Sequence, residues 1–128
     1  MVHQLPSKLY KHVRAFDSFA EAMIVVAESM PKRMTASQVI FFVAAASADL
    51  KGHAPTYSQI RDYIGEGVAR SLHSTYRVLL EKCPAYPNGL GLLCQERNPA
   101  DHREYFLRLT PKGRKLMERL ALKLEPED

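Results

Sequence analysis

The chain has 128 residues, 46% of them apolar and 25% charged, which is the size and composition of one globular domain with its own core. Its 18 Lys and Arg residues exceed its 14 Asp and Glu residues, so the net charge is +4. This charge permits an anionic partner without requiring one. The most apolar run, Val39 to Ala46, is too short to cross a membrane. Two cysteines make no disulfide framework and no signal peptide precedes Leu5, so a cytoplasmic protein is expected.

The stretch from Ser7 to Met30 is predicted to form one long helix that Met30-Pro31 ends. Its apolar residues follow the alternating four-three spacing of a coiled-coil seam. The seam residues are Leu9, Val13, Phe16, Ala20, Met23, Ala27 and Met30. Such a helix either lies on the core of its own domain or pairs with a second copy. The amount of apolar surface on it favours a homodimer.

A second helix is predicted from Ala36 to Lys51, because Thr35 and Gln38 form a capping-box pattern and Gly52 suits the position after the last turn. Apolar residues lie on most sides of this helix, and all-round apolarity indicates burial. The residues concerned are Val39, Ile40, Phe42, Val43, Ala46 and Leu50. The sequence therefore predicts that this helix is the central scaffold of the domain.

The next stretch has the pattern of a helix-turn-helix motif. A second capping box, Thr56 with Gln59, predicts a short helix from Tyr57 to Ile64. Gly65-Glu66-Gly67 is predicted to be the turn, and a longer helix is predicted from Val68 to Lys82. A short helix, a glycine turn and a longer helix together are typical of that motif.

Polar side chains share the face of the longer helix that lies opposite its apolar stripe. They are Arg70, Ser74, Arg77 and Glu81, flanked by Ser71 and His73. Arginine can bond guanine edges, and serine or histidine can reach bases or phosphates. A solvated helix face is the ordinary meaning of such residues. The hairpin predicted after this helix favours nucleic-acid recognition instead.

The stretch from Gly91 to Gly113, GLLCQERNPADHREYFLRLTPKG, predicts a β-hairpin followed by a helix. Leu92 to Arg97 and Glu104 to Leu109 are rich in strand-forming residues. Asn98 to Arg103 has the composition of a turn and carries charge at its tip. Residues 56–115 hold ten Lys or Arg and six Asp or Glu, so the net charge of this region equals that of the whole chain.

A last helix is predicted after the hairpin, with Thr110 as N-cap and Pro111 at the first helical position. Its apolar side is lined by Leu116, Met117, Leu120 and Leu124. The chain is thus expected to be a single domain. Residues 1–33 would form an N-terminal dimerisation helix, residues 34–110 the core, and residues 111–128 the C-terminal helix.

The hairpin stretch resembles the wing of the multiple-antibiotic-resistance-regulator (MarR) family of winged-helix transcription factors. In that family a Gly-Leu strand is followed by an Asp-x-Arg turn and by a strand that ends in Leu-Thr-x-x-Gly. The matching positions here are Gly91-Leu92, Asp101-His102-Arg103 and Leu109 to Gly113. The order of elements also agrees from about Leu5 to Leu124. The chain departs from the family in having room for one C-terminal helix where the family generally has two.

The resemblance implies a mainly α fold with a small β-hairpin, a winged helix-turn-helix with long N-terminal and C-terminal helices. It further implies a homodimer that binds double-stranded DNA and regulates transcription, with the longer helix in the major groove and Arg103 at the minor groove. The residues expected to contact DNA are Arg70, Ser71, His73, Ser74, Arg77, Arg97, Asp101, His102, Arg103 and Lys112. Either Arg70 or Arg77 would read bases. The alternative is a winged-helix module that binds a protein and no DNA.

No catalytic, metal or cofactor site is expected, and the chain is not expected to be an enzyme. Its five histidines are far apart in sequence, and phosphate-binding glycine loops are missing from it. Family members often bind small aromatic acids, but only Tyr10, Tyr57 and Arg14 argue for such an effector here. Cys83 and Cys94 would be either a redox switch or two small buried hydrophobes, and the second interpretation is favoured.

Overall fold

The computed structural model describes residues 7–30, 34–80 and 89–124, and within them it leaves out the side chains of residues 7 and 73–75. These ranges form a mainly helical domain with one two-stranded antiparallel hairpin. The helices are α1 (Ser7–Tyr10), α2 (Val13–Ser29), α3 (Ala36–Leu50), α4 (Tyr57–Ile64), α5 (Glu66–Leu72), a 3₁₀ segment (His73–Leu79) and α6 (Pro111–Leu124), and the strands are β1 (Leu93–Asn98) and β2 (Asp101–Leu109). Within the described ranges, no helix combines the length and apolarity that a membrane span requires.

The predicted continuous helix from Ser7 to Met30 is wrong, because the chain leaves the helical path between α1 and α2. His12 has φ −107° and ψ 10°, and its N–H donates to the Leu9 carbonyl at 2.9 Å. A hydrogen bond that spans three residues closes a tighter turn than an α-helix does. The helix therefore restarts at Val13. At its other end the extended backbone of Met30 terminates α2, as predicted.

The core side of α2 packs mainly along α6. Ala22, Val25 and Val26 are buried there, and Arg119 of α6 donates to the Ser29 hydroxyl at 2.7 Å. Met30, assigned to the seam from its spacing, belongs to this core instead, with 6% of its surface exposed. The six other seam residues, Leu9, Val13, Phe16, Ala20, Met23 and Ala27, are exposed. The seam is thus a surface separate from the core.

The capping box of α3 is confirmed, since the Thr35 side chain accepts from the Gln38 N–H and the Gln38 side chain accepts from the Thr35 N–H. The residues of α3 that have no exposed surface are Phe41, Phe42, Ala45 and Ala46. All-round burial of α3 is wrong, because Ile40, Val43 and Leu50 are exposed. α4, α5, α6 and the hairpin all contact α3, so its core side follows the usual i, i+3, i+4 pattern. Gly52 after the helix has φ +91°, which supports its predicted role.

The turn between α4 and α5 is shorter than the predicted Gly65-Glu66-Gly67. Gly65 alone joins the two helices, with φ +91° and its N–H bonded to the Arg61 carbonyl at 3.1 Å. Glu66 and Gly67 already lie in α5. A glycine tolerates this positive φ without a steric cost, so one residue is enough to redirect the chain.

The predicted long helix from Val68 to Lys82 is also wrong, because α5 ends at Leu72 and the 3₁₀ segment His73–Leu79 follows it. Residues 73–78 are His, Ser, Thr, Tyr, Arg and Val, most of which lose freedom or compete with the backbone in an α-helix. The Tyr76 ring packs 5.2 Å from Phe41 and 4.6 Å from Tyr57, measured between centroids. This packing holds the segment against α3 and α4. The predictions for residues 81–88 and 125–128 lie outside the described residues.

The hairpin has a tighter turn than the sequence suggested. Leu93 pairs with Leu109 and Arg97 with Tyr105, but Asn98 pairs with Asp101 across a bulge. The turn is therefore Pro99-Ala100, and the Asn98 side chain closes it by accepting from the Ala100 N–H at 2.9 Å. Asp101, His102 and Arg103, predicted to lie in the tip, belong to β2.

Hydrogen bonds join the hairpin to the helical body on both of its edges. On one edge, the Leu107 N–H donates to the Pro55 carbonyl at 2.7 Å, and Thr56 forms a bridge with Phe106. On the other edge, Leu80, at the end of the 3₁₀ segment, forms a bridge with Leu93. These bonds fix the direction in which the hairpin leaves the body.

The start of α6 is locked to the strand that precedes it. The Thr110 hydroxyl accepts from the Gly113 N–H at 3.0 Å and donates to the Gly91 carbonyl. The Thr110 N–H in turn donates to the Leu92 carbonyl at 3.2 Å. The predicted N-cap at Thr110 and first helical position at Pro111 are therefore confirmed.

Candidate nucleic-acid interface

The exposed side of α5 carries two of the predicted DNA-contacting residues. Arg70 lies one turn beyond Glu66 and pairs with it at 3.1 Å, in the (i, i+4) arrangement. Both side chains are largely exposed, so this pair is weak and the guanidinium can exchange partners. The Ser71 hydroxyl lies 2.8 Å from that of Ser37 on α3. Ser71 is thus a contact between α3 and α5.

An open hollow of about 550 Å³ lies between α4 and α5 beside Arg70. Its charged lining consists of Arg61, Asp62, Glu66 and Arg70, and Arg61 contacts Asp62 at 3.8 Å. Positive and negative groups are equal in number here. The hollow therefore gives no preference for an anion, although Arg61 lies close to a predicted site residue and was missed from the sequence.

The 3₁₀ segment changes how its polar residues are arranged. It has three residues per turn, so Arg77 lies roughly 60–80° around the axis from Arg70, against about 20° for a continuous α-helix. The Arg77 side chain is exposed, with its guanidinium carbon 6.0 Å from the centre of the Tyr76 ring. His73 and Ser74 lie in the same segment, but their side chains are outside the described part. Arg70 and Arg77 are therefore not aligned on one polar face as predicted.

Arg108 on β2 forms ion pairs that the sequence did not predict. Its Nε lies 3.1 Å from Asp49 of α3, and its Nη1 lies 3.2 Å from Glu96 of β1. The Asp49 side chain is only 8% exposed and also accepts from the Leu109 N–H at 2.9 Å. Asp49 therefore holds the base of the hairpin against the central helix. The sequence holds one clue to this role of Asp49: it is an acidic residue in the last turn of an apolar helix, where the helix dipole disfavours negative charge.

Arg103 extends from β2 with 93% of its side chain exposed. The Asp101 carboxylate accepts from the Arg103 N–H at 3.0 Å and from its Nε at 3.3 Å. Asp101 thus fixes the backbone at this position and holds the arginine side chain. His102, between them, is exposed.

Arg97 on β1 and Lys112 on α6 complete the predicted set. Arg97 donates to the Tyr105 hydroxyl at 2.7 Å, and its guanidinium carbon is 5.3 Å from the centre of that ring. The Lys112 ammonium donates to the Leu90 carbonyl at 2.8 Å. A lysine has three N–H donors, so Lys112 retains donors for a second partner.

Other chemistry that the sequence raised has little geometric support in the described residues. Within residues 7–30, 34–80 and 89–124, no cluster of His, Cys, Asp and Glu could hold a metal ion. Cys94 is half-buried on β1, while Cys83 lies outside the described ranges. Of the residues considered for an effector, Tyr57 packs against Phe41 and Tyr76, and Tyr10 is exposed on α1.

Comparison of the chain with protein-family models, curated proteins and solved structures finds no match.

Proposed function

We propose that this chain is a winged-helix protein that binds duplex DNA with sequence preference, regulates transcription and acts as a homodimer. The observation that carries the proposal is the pair of short helices α4 and α5, joined by Gly65 and followed by a hairpin. That hairpin is bonded to the chain just before α4 and at Leu80, after the 3₁₀ segment. Pro55 and Thr56 pair with β2 immediately before α4, in the place of a short third strand. A helix, a short strand, two helices and a hairpin, in that order, suit a winged helix.

In this proposal α5 enters the major groove and the hairpin follows the neighbouring minor groove or its phosphates. Arg70, on the α-helical part, is the candidate for a bidentate bond to guanine. Arg77, on the 3₁₀ segment, and Lys112, at the base of the hairpin, would contact phosphates. The Arg103 side chain on β2, held by its partner Asp101, would lie beside the minor groove.

The test is a titration of the protein with random-sequence and preferred duplexes over a range of salt. If four or five cations meet phosphates, the logarithm of the association constant should fall against the logarithm of salt with a slope of about −4. Arg70→Ala should cost about 1–3 kcal/mol on the preferred duplex and much less on the random one. Arg77→Ala and Arg103→Ala should weaken binding to both duplexes alike, each lowering the slope by about one unit.

Two outcomes would go against the proposal. Failure of the wild-type protein to bind DNA at low salt removes it, and leaves the protein-binding winged-helix module as the better interpretation. Equal losses for Arg70→Ala on both duplexes would show that α5 does not read bases through that arginine.

The exposed seam of α2 supports the homodimer. Phe16 and Phe19 are 55% and 63% exposed, and Ile24 is 56% exposed. At 100° per residue these residues and the seam span the side of α2 that faces away from Ala22 and Val25, and Phe19 lies at its margin next to Val26. From Phe16 to Ala27 the seam alternates large and small residues at the spacing by which two helices interdigitate. A second copy of the same helix therefore suits it.

Replacing Phe16 and Met23 with lysine is expected to convert the dimer to a monomer. Both residues are exposed, so the fold of each copy should survive while two charges enter the seam. Sedimentation equilibrium measures the mass, and circular dichroism checks the helix content. Asp17→Asn with Glu21→Gln adds the same net charge on the adjacent edge of α2 and should leave the dimer intact. A wild-type protein that is monomeric at roughly tens of micromolar would rule out the dimer.

A further inference from the structure

The hairpin carries three arginines, and their partners divide them into distinct groups. Arg108 lies against two carboxylates, those of Asp49 and Glu96. Arg103 lies against one, that of Asp101. Arg97 has no carboxylate partner among the described residues, and its contact is with the Tyr105 side chain. The positive charge of Arg97 is thus the one that the hairpin itself leaves unneutralised.

The contact with Tyr105 restricts Arg97 without neutralising it. The two residues are directly opposite each other across the strands, where side chains are close enough to interact. The guanidinium lies over the ring and donates one hydrogen bond to the hydroxyl. A cation held over an aromatic ring keeps its full charge, and Arg has five N–H donors in all. Four donors therefore remain available to an anion.

The strand register places this pair where the hairpin extends past the core. Alternate residues of a strand share a face, so Tyr105 lies on the same face as Leu107, which is buried. Its partner Arg97 is exposed. The face that packs on the core near Leu107 thus becomes a cationic surface two residue pairs farther out.

We propose that Arg97 is the main phosphate-binding cation of the hairpin, and that Tyr105 is a positioning residue that holds it for that contact. The inference rests on the proposed DNA-binding function. A phosphate that approaches Arg108 must compete with two carboxylates, and one that approaches Arg103 with a single exposed carboxylate. At Arg97 it meets no carboxylate of the described residues. The planar guanidinium suits a bidentate contact with phosphate oxygens.

The experiment measures binding of the full chain to random-sequence duplexes, one A·T-rich and one G·C-rich, against salt. Arg97→Ala should weaken binding to both about 5–10-fold and lower the salt slope by about one unit. Tyr105→Phe keeps the ring but loses the hydroxyl, and should weaken binding about 3-fold with the slope unchanged, since the charge remains. Tyr105→Phe should have no further effect in the Arg97→Ala background.

The control for net charge is Lys123→Ala, in the last turn of α6, which should bind DNA like the wild type. Thermal unfolding of every variant separates a loss of binding from a loss of fold. If Arg97→Ala binds like Lys123→Ala while the wild type binds DNA, the inference is wrong and the proposed function stands. If the wild type does not bind, the proposed function itself has failed.

Two further results would overturn the assignment of roles. A loss confined to the A·T-rich duplex would mean that Arg97 enters the minor groove and does not bind phosphate. An equal loss from Tyr105→Phe with and without Arg97 would mean that Tyr105 acts on DNA or on the fold independently of that arginine.

Discussion

Gly113→Ala is expected to lower the free energy of unfolding by about 3 kcal/mol. A Cβ at this position would overlap the carbonyl oxygen of Leu92 and lie 3.0 Å from the Leu109 side chain. The Leu92 carbonyl cannot move freely, because it accepts from the Thr110 N–H and because Leu92 is buried. Either α6 or the start of β1 must therefore shift. Urea denaturation followed by circular dichroism measures the loss.

Gly67→Ala is the matched control for this substitution. Gly67 also lies in a helix, but a Cβ there would meet nothing within 4 Å. Since alanine favours helix more than glycine does, this variant should equal the wild type or exceed it by up to about 1 kcal/mol. Equal stabilities for the two alanine variants would contradict the close packing of α6 against the strand.

Asp49→Ala should be nearly as damaging, with a loss of about 2–4 kcal/mol. The substitution leaves the Leu109 N–H without its acceptor and removes the less exposed of the two carboxylates that hold Arg108. Asp49→Asn retains an oxygen acceptor, so it should lose about half as much. Hydrogen exchange should show faster exchange at Leu109 and along β2 before global unfolding.

Asp62→Ala is the comparison for a carboxylate of little structural consequence. Asp62 is exposed and lies 3.8 Å from Arg61, so its loss should change stability by less than about 0.5 kcal/mol. If Asp49→Ala were as mild as this, the contact between α3 and the hairpin would not stabilise the fold.

Local chemistry made several elements of the fold predictable from the sequence. The capping boxes that begin at Thr35 and Thr56, and the N-cap at Thr110, depend on residues three apart, and the structure has all three. Gly52 could be assigned because few other residues tolerate its positive φ. α4 has the predicted bounds for the same reason, since its start and its end both carry local signals.

The departures arise where distant contacts or single residues decide the backbone. Tyr76 packs on Phe41 and Tyr57, and nothing near Tyr76 in sequence reveals that packing or the 3₁₀ segment that accompanies it. The two glycines at positions 65 and 67 suggested a three-residue turn. In the structure Gly65 alone ends α4, and α5 begins at the next residue. At Asn98, a bulge and a side-chain hydrogen bond make the hairpin turn shorter than the predicted tip.

The candidate site was predictable in composition but not in its internal contacts. Arg70, Arg97 and Arg103 could be selected as exposed cations from their places in the pattern. The partner of Arg97 could not, because Tyr105 contacts it through the strand register. The same holds for Arg108, whose partner Asp49 also accepts from the Leu109 N–H, 60 residues along the chain. Those partners decide which cations are held and which are neutralised.

The packing of α2 on α6 also determines how late in synthesis the domain can finish folding. Ser29 and Arg119, which join the two helices, are 90 residues apart in the chain. A ribosome that adds about 5–20 residues per second needs roughly 5–18 s to cover that distance. During this interval α2 exposes apolar residues on both of its sides, to chaperones as well as to other nascent chains. The helix made early thus depends on the helix made late, and a ribosome that stalls between them leaves α2 unprotected.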